Sequence, residues 1–180
     1  IIMLAERMNT FSGSPTSALI AKVAELRAEG KDIISLNVGE PDFGTPDYIK
    51  CGAIKAIVDN FSKYTAGNGI IELRRLISKK LHEDNNLEYT TDEICATVGA
   101  KQAIFNSIMA LVDPGDEVLL PVPCWVSYTE MIKFAGAKPV FVDVEAETFD
   151  LDIEALEKAV TTKTKAIVIC TPNNFNSFYF

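Results

Sequence analysis

Three short clusters in this 180-residue sequence combine residue types that could act together on one small molecule. Gly99-Ala100-Lys101 follows an apolar run, Pro123-Cys124-Trp125 follows the next, and Pro172-Asn173-Asn174 follows a later one. Where a strand ends in small residues and enters a helix, backbone amides and the helix dipole favour an anion such as phosphate. Lys101 brings a full positive charge to the same point. Trp125, the single tryptophan, is a rigid plate on which an aromatic ring could stack. Asn173 and Asn174 supply neutral amides, which hydrogen-bond a phenolic oxygen without competing for its charge. Together the clusters would suit a flat, phosphorylated cofactor held outside the carboxyl ends of strands. Taken singly, each has a plainer account: a strand–helix turn with a solvated lysine, a core tryptophan and an Asn-rich turn.

Other chemistry-bearing residues point less clearly to a site. Glu40 and Asp42 invite a paired-carboxylate reading, but Pro41 between them argues for a turn. His82, beside Glu83 and Asp84, reads as a solvated surface residue. Ser127 has no nearby histidine pattern to support a nucleophilic triad. The cysteines (Cys51, Cys95, Cys124 and Cys170) form no C-x-x-C pair, and with one histidine in the chain no metal site is expected. Cys95 and Cys170 sit in apolar runs and are expected to be reduced core residues, which favours a cytoplasmic location.

The elements that must position these residues follow from periodicity. Residues 17 to 29 put Leu19, Ile20, Val23 and Leu26 on one helical face, and Gly30 ends the run. Ile33 to Leu36 reads as a short strand, followed by the loop Gly39-Glu40-Pro41-Asp42-Phe43-Gly44. Thr45 is placed to cap a helix with Pro46 at its first position, burying Ile49, Ala53, Ile54, Ile57 and Val58. After a loop at Tyr64 to Gly69, a further helix carries Leu73, Ile77 and Leu81. From residue 94 the pattern changes. Strand-like runs at Ile94 to Val98, Val118 to Leu120, Val140 to Val142 and Ala166 to Cys170 alternate with helical stretches at 101 to 112, 125 to 135 and 152 to 160. This alternation predicts an α/β fold, a three-layer αβα arrangement with a mostly parallel sheet built from right-handed crossovers. Residues 1 to 45 differ in pattern and are expected to form an N-terminal arm and a small-domain segment.

Composition excludes several classes. The net charge is −8 with no basic stripe, so nucleic acid is not an expected partner. No apolar run approaches a membrane span, so no membrane partner is expected. The opening Ile1-Ile2-Met3-Leu4 is followed at once by Glu6 and Arg7, unlike a secretory signal. The hydrophobic fraction of 48% fits buried parallel strands better than disorder.

The order and spacing of these segments closely resemble the class I/II pyridoxal-phosphate aminotransferases of fold type I, aspartate-type members above all. The resemblance runs from about residue 4 to Asn174. It rests on Gly39-Glu40-Pro41-Asp42-Phe43, Tyr64-Thr65, Gly69-Ile70, Glu72-Leu73-Arg74, Val98-Gly99-Ala100-Lys101-Gln102-Ala103, Asp113-Pro114-Gly115-Asp116 and Trp125-Val126-Ser127-Tyr128. It implies that Gly99, Ala100 and Lys101 hold the phosphate of pyridoxal 5'-phosphate, with Lys101 also facing the substrate's distal carboxylate. It implies that Trp125 stacks on the pyridine ring and Asn174 bonds its phenolic oxygen, both also lining the substrate site. Tyr64 is implied to reach the phosphate of a neighbouring subunit, hence a homodimer, and Gly39 to make a backbone contact near the substrate carboxylate.

The implied activity moves an amino group between an amino acid, of the aspartate or glutamate type, and a 2-oxo acid. Residues 46 to 180 then correspond to part of the cofactor-binding large domain, truncated at its C-terminal side. Two departures stand out. Asn174 is followed by Phe175-Asn176-Ser177 where the family continues Pro-Thr-Gly. The family's Schiff-base lysine, the aspartate facing the ring nitrogen and the substrate-binding arginines lie beyond the matched region, so no residue of this chain is assigned as catalytic. Two alternatives remain on the sequence. The chain could be a non-catalytic fragment or binding module of the same fold, or the scaffold could perform β-elimination or decarboxylation instead.

Overall fold

A computed structural model describes residues 4–10, 13, 15–36 and 38–173. Its helices are α1 (Pro15–Ala28), α2 (Asp47–Val58), α3 (Ile71–Asn85), α4 (Gly99–Leu111), α5 (Val126–Phe134) and α6 (Ile153–Ala159). Short 3-10 turns occupy Glu6–Asn9 and Thr91–Glu93. The strands are β1 (Glu117–Val122), β2 (Lys138–Asp143) and β3 (Thr164–Ile167). The described residues divide into two compact units: those up to Ala18 together with those from Ile104 onward, and Leu19–Ala103.

The first unit is built on a three-stranded sheet in the order β2-β1-β3, with both pairings parallel. Alternation along β1 sends Val118 and Leu120 to one face and Leu119 to the other. Val118 and Leu120 pack with Ile108 of α4 and with Tyr128, Met131 and Ile132 of α5. Leu119 packs with Val142 and Leu156 of α6. Helices therefore cover both faces, giving the three layers of the expected α/β fold. β1, central and shielded on both sides, is apolar from Val118 to Val122, as buried parallel strands are. Arg7 lies over the Phe134 ring, 5.9 Å from its centroid, and so attaches the first residues to α5.

At the amino end of β1 the buried Glu117 closes the sheet. Its carboxylate accepts from the Thr161 hydroxyl (2.7 Å) and from Lys138 Nζ (3.3 Å). These partners hold the carboxyl below its ordinary range, the Thr161 hydrogen bond contributing most.

The second unit is helical. Gly30 ends α1 in the left-handed region (φ +82°), and Asn86 does the same for α3 (φ +54°). Several sequence expectations fail here. Neither Ile33–Leu36 nor Ile94–Val98 forms a strand. Ile34 and Leu36 are exposed, and around residue 96 the backbone bonds across to a loop, Ala96 N–H to the Asn68 carbonyl at 3.0 Å, instead of joining a ladder. α2 begins after Pro46, which is its N-cap, with no side-chain cap from Thr45. Its residues Ile49, Ile54, Ile57 and Val58 are exposed, because none of the described elements covers that face. In α3 the buried residue is Arg74, whose guanidinium donates to two backbone carbonyls, while Ile77 and Leu81 are half-buried and Leu73 is exposed. Cys95 is exposed and does not belong to a core, and Cys170 is half-buried.

Candidate functional site

In the helical unit the chain enters α4 through a sharp turn. Gly99 has φ +77°, a conformation that side-chain-bearing residues adopt only with strain, and a Cβ there would meet nothing within 4 Å. The Gly99 N–H bonds the Thr97 carbonyl (2.9 Å), and the Thr97 hydroxyl donates to the Gly99 carbonyl (3.0 Å). Gln102 reaches back and accepts from the Val98 N–H at 2.7 Å. Thr97 and Gln102 thus fix the turn, and the first-turn amides of a 13-residue helix open on a side that glycine leaves unobstructed. Ala100 and Lys101 lie in that first turn and are exposed. The donor set, amides plus one ammonium, fits a phosphate group.

Gly39 and Tyr64 also belong to this unit. Gly39 lies in an exposed loop with open space where a side chain would stand. Tyr64 is fully exposed, five residues before Gly69.

In the sheet unit, the carboxyl ends of β1 and β3 meet. The chain leaves β1 through the cis peptide Val122–Pro123, and Thr171–Pro172 is likewise cis. Asn173 is 6% exposed, and its Nδ2 donates to the Pro123 carbonyl at 3.0 Å, tying one strand end to the other. Trp125 is the residue that caps α5. Its half-buried ring stands edge-on to Tyr128, with centroids 5.4 Å apart and planes at 89°. Tyr128 is buried beneath it. Burial, then the hydrogen bond with Cys170, pushes its phenol up to about 12. Burial also raises the Cys124 thiol. Both groups next to Trp125, the Tyr128 phenol and the Cys124 thiol, therefore favour their neutral forms.

The structure places Gly99, Ala100, Lys101, Gly39 and Tyr64 in the helical unit and Trp125 in the sheet unit. Asn174 lies outside the described residues. Two residues with strong structural parts have no role in the sequence reading. Tyr128 supports Trp125, and its signal was the i, i+3 spacing from Trp125. Arg74 is the buried cation of α3; its place beside Ile70, Ile71 and Ile77 on one helix face marks it as inward, but not which groups it binds.

These features define a class. The family model for aminotransferase class I and II matches residues 31–175, and the chain belongs to that family. Its fold is that of part of a fold type I aminotransferase. The chain is 47% identical over 173 residues to a probable aspartate/prephenate aminotransferase of Rickettsia conorii, covering 96% of this chain and 43% of that protein. It is 43% identical over 172 residues to the aspartate aminotransferase of Bacillus subtilis, covering 95% and 44%. Among solved structures it superposes on the aspartate aminotransferase of Thermus thermophilus with maleate, with a TM-score of 0.91 and 43% identity, covering 97% of this chain and 46% of that one. The chain thus spans less than half the length of the relatives it matches.

Among the described residues no helix is long and apolar enough to cross a membrane.

Proposed function

We propose that the protein carrying this chain is a pyridoxal-phosphate-dependent aminotransferase. It would move an amino group between an acidic amino acid, aspartate or glutamate, and a 2-oxo acid. The observation that carries this reading is the Gly99 turn (φ +77°), which opens the amino end of α4 immediately before Lys101. The amides of that turn and the Lys101 ammonium would hold the cofactor phosphate. Trp125, kept edge-on by Tyr128, would present its face to the pyridine ring, and Asn174 would donate to the phenolic oxygen. Lys101 would also attract the distal carboxylate of the substrate, and the Gly39 backbone its α-carboxylate. Tyr64 would reach the phosphate held by a neighbouring subunit in a homodimer. When bound, pyridoxal phosphate supplies the aldehyde that takes up the amino group and the ring that withdraws electrons from it. No lysine of this chain is assigned to hold the aldehyde. Residues 1–45 are read as arm and small-domain segment and 46–180 as part of the large domain, and the location as cytoplasmic.

The test uses the full-length protein. Purified material should bind pyridoxal phosphate and transfer the amino group of aspartate to 2-oxoglutarate. Prephenate, which appears in the names of relatives, should be tried as a second acceptor. Lys101→Ala should weaken cofactor binding by about tenfold, the loss of one charged phosphate contact. Full-length protein that binds no cofactor overturns the reading. Release of ammonia and pyruvate without amino transfer would move it to β-elimination.

A further inference from the structure

The Tyr64–Gly69 loop and the approach to α4 are joined through one buried cation. Arg74 is 8% exposed. Its Nε donates to the Gly69 carbonyl at 3.2 Å and its Nη1 to the Thr91 carbonyl at 2.6 Å, with the Asp92 carboxylate 3.8 Å away. Thr91 begins the 3-10 turn closed by a capping box, in which Glu93 accepts from the Thr90 N–H and hydroxyl. On its other side the loop touches the segment that follows this turn. Gly69 has φ +98°, and a Cβ built on it would stand 2.8 Å from the Ala96 Cβ. Next to it, the Asn68 carbonyl accepts from the Ala96 N–H at 3.0 Å. Asn68 and Gly69 are therefore clamped between the guanidinium and Ala96, and Ala96 lies three residues before Gly99.

A buried cation is a poor choice where packing alone is needed, since an apolar side chain of similar volume is often as stabilising. What the guanidinium adds is direction: its rigid fork sets two carbonyls at a fixed separation. We propose that Arg74 is a positioning residue for phosphate recognition. It fixes the approach to the Gly99-Ala100-Lys101 turn, which would hold the phosphate of its own subunit, and steadies the base of the loop from which Tyr64 would reach the phosphate of the neighbouring one. The inference rests on the pyridoxal-phosphate reading above, and goes beyond it by assigning a residue that touches neither cofactor nor substrate.

Selectivity for the phosphate tests it. In the full-length protein, binding of pyridoxal phosphate and of pyridoxal, which lacks the phosphate, is measured by equilibrium dialysis. Arg74→Lys removes the fork but keeps the charge, and Gly69→Ala pushes the loop from the opposite side with Arg74 intact. Each variant should weaken pyridoxal phosphate by about tenfold or more while pyridoxal changes by less than about twofold, as expected for a displaced contact. Circular dichroism checks that both fold, and if Arg74→Lys does not, Gly69→Ala decides. Equal losses for the two ligands would make Arg74 a scaffold residue only and overturn the inference. So would wild-type selectivity retained in both variants. Wild-type protein that binds neither ligand would overturn the underlying reading and the inference with it.

Discussion

The two units of this chain solve the same problem by different means. The sheet unit hides Val118, Leu120 and Ile132 almost completely between its layers. Among the described residues of Leu19–Ala103, by contrast, only Ile94 and Arg74 are buried. There the chain is organised by directed polar bonds: the Arg74 fork, the Thr90–Glu93 capping box and the Ser78 hydroxyl on the Tyr89 carbonyl at 2.6 Å. Apolar burial is roughly additive in area and tolerant of direction, whereas hydrogen bonds fix geometry but add little net stability. A sheet layer thus gives strength to one unit, and a few polar clamps give shape to the other.

The largest effect that would break this contrast is a cavity. Leu120→Ala in the 180-residue chain should cost about 2–5 kcal/mol, as for truncation of a fully buried leucine. Ile57→Ala, at a position 76% exposed, should stay within about 0.5 kcal/mol. Urea unfolding of the two variants measures both. Equal losses would mean that α2 is covered in solution and that the contrast is wrong.

That pair also shows how far the sequence could be read. Apolar spacing located α2 and α5 equally well, because the period reports which residues share a face. It said nothing about what covers the face. Ile132 has β1 beneath it and Ile57 has nothing among the described residues, yet both sit in similar patterns. Ile94–Val98 failed for the same reason: its apolar composition suits a strand, but a strand exists only where a neighbour supplies a ladder. The turns at Gly30 and Gly99 were legible because a positive φ demands a particular residue locally. The Arg74 clamp was not, since its partners are backbone carbonyls, one of them 17 residues away, and carbonyls carry no sequence signal.

A smaller effect separates the units by pH. Glu117 in the sheet unit is held below the ordinary carboxylate range, mainly by the Thr161 hydroxyl and then by Lys138. Glu93 in the helical unit is held low by the Thr90 N–H and then its hydroxyl. A depressed folded-state value means that the contribution is present above the unfolded value, about 4.3, and is lost as pH falls through the folded one. Glu117→Gln and Glu93→Gln should therefore lower the melting temperature at pH 7 and converge on the wild type in acid. Segment-resolved hydrogen exchange should place the first change in β1 and β3 and the second in residues 90–98. Exchange that rises across both units in either variant would show that they unfold as one.

The smallest effect lies at Tyr128 and runs in the opposite direction on the pH scale. Its phenol is raised to about 12, first by burial and then by its hydrogen bond with Cys170. The unfolded tyrosine ionises near 10, so the folded state retains a proton that the unfolded state gives up. Stability from this group is therefore complete below about pH 10 and falls as pH rises toward the folded value. Tyr128→Phe removes that dependence while keeping the ring edge-on to Trp125, so its melting temperature should decline less steeply than the wild type above pH 10. An ultraviolet titration should show one late-ionising tyrosine in the wild type that is missing from the variant. If Tyr128 instead ionised near the ordinary value of about 10, water would have to reach the phenol beneath Trp125. The dry layer that sets the sheet unit apart would then not extend to Tyr128.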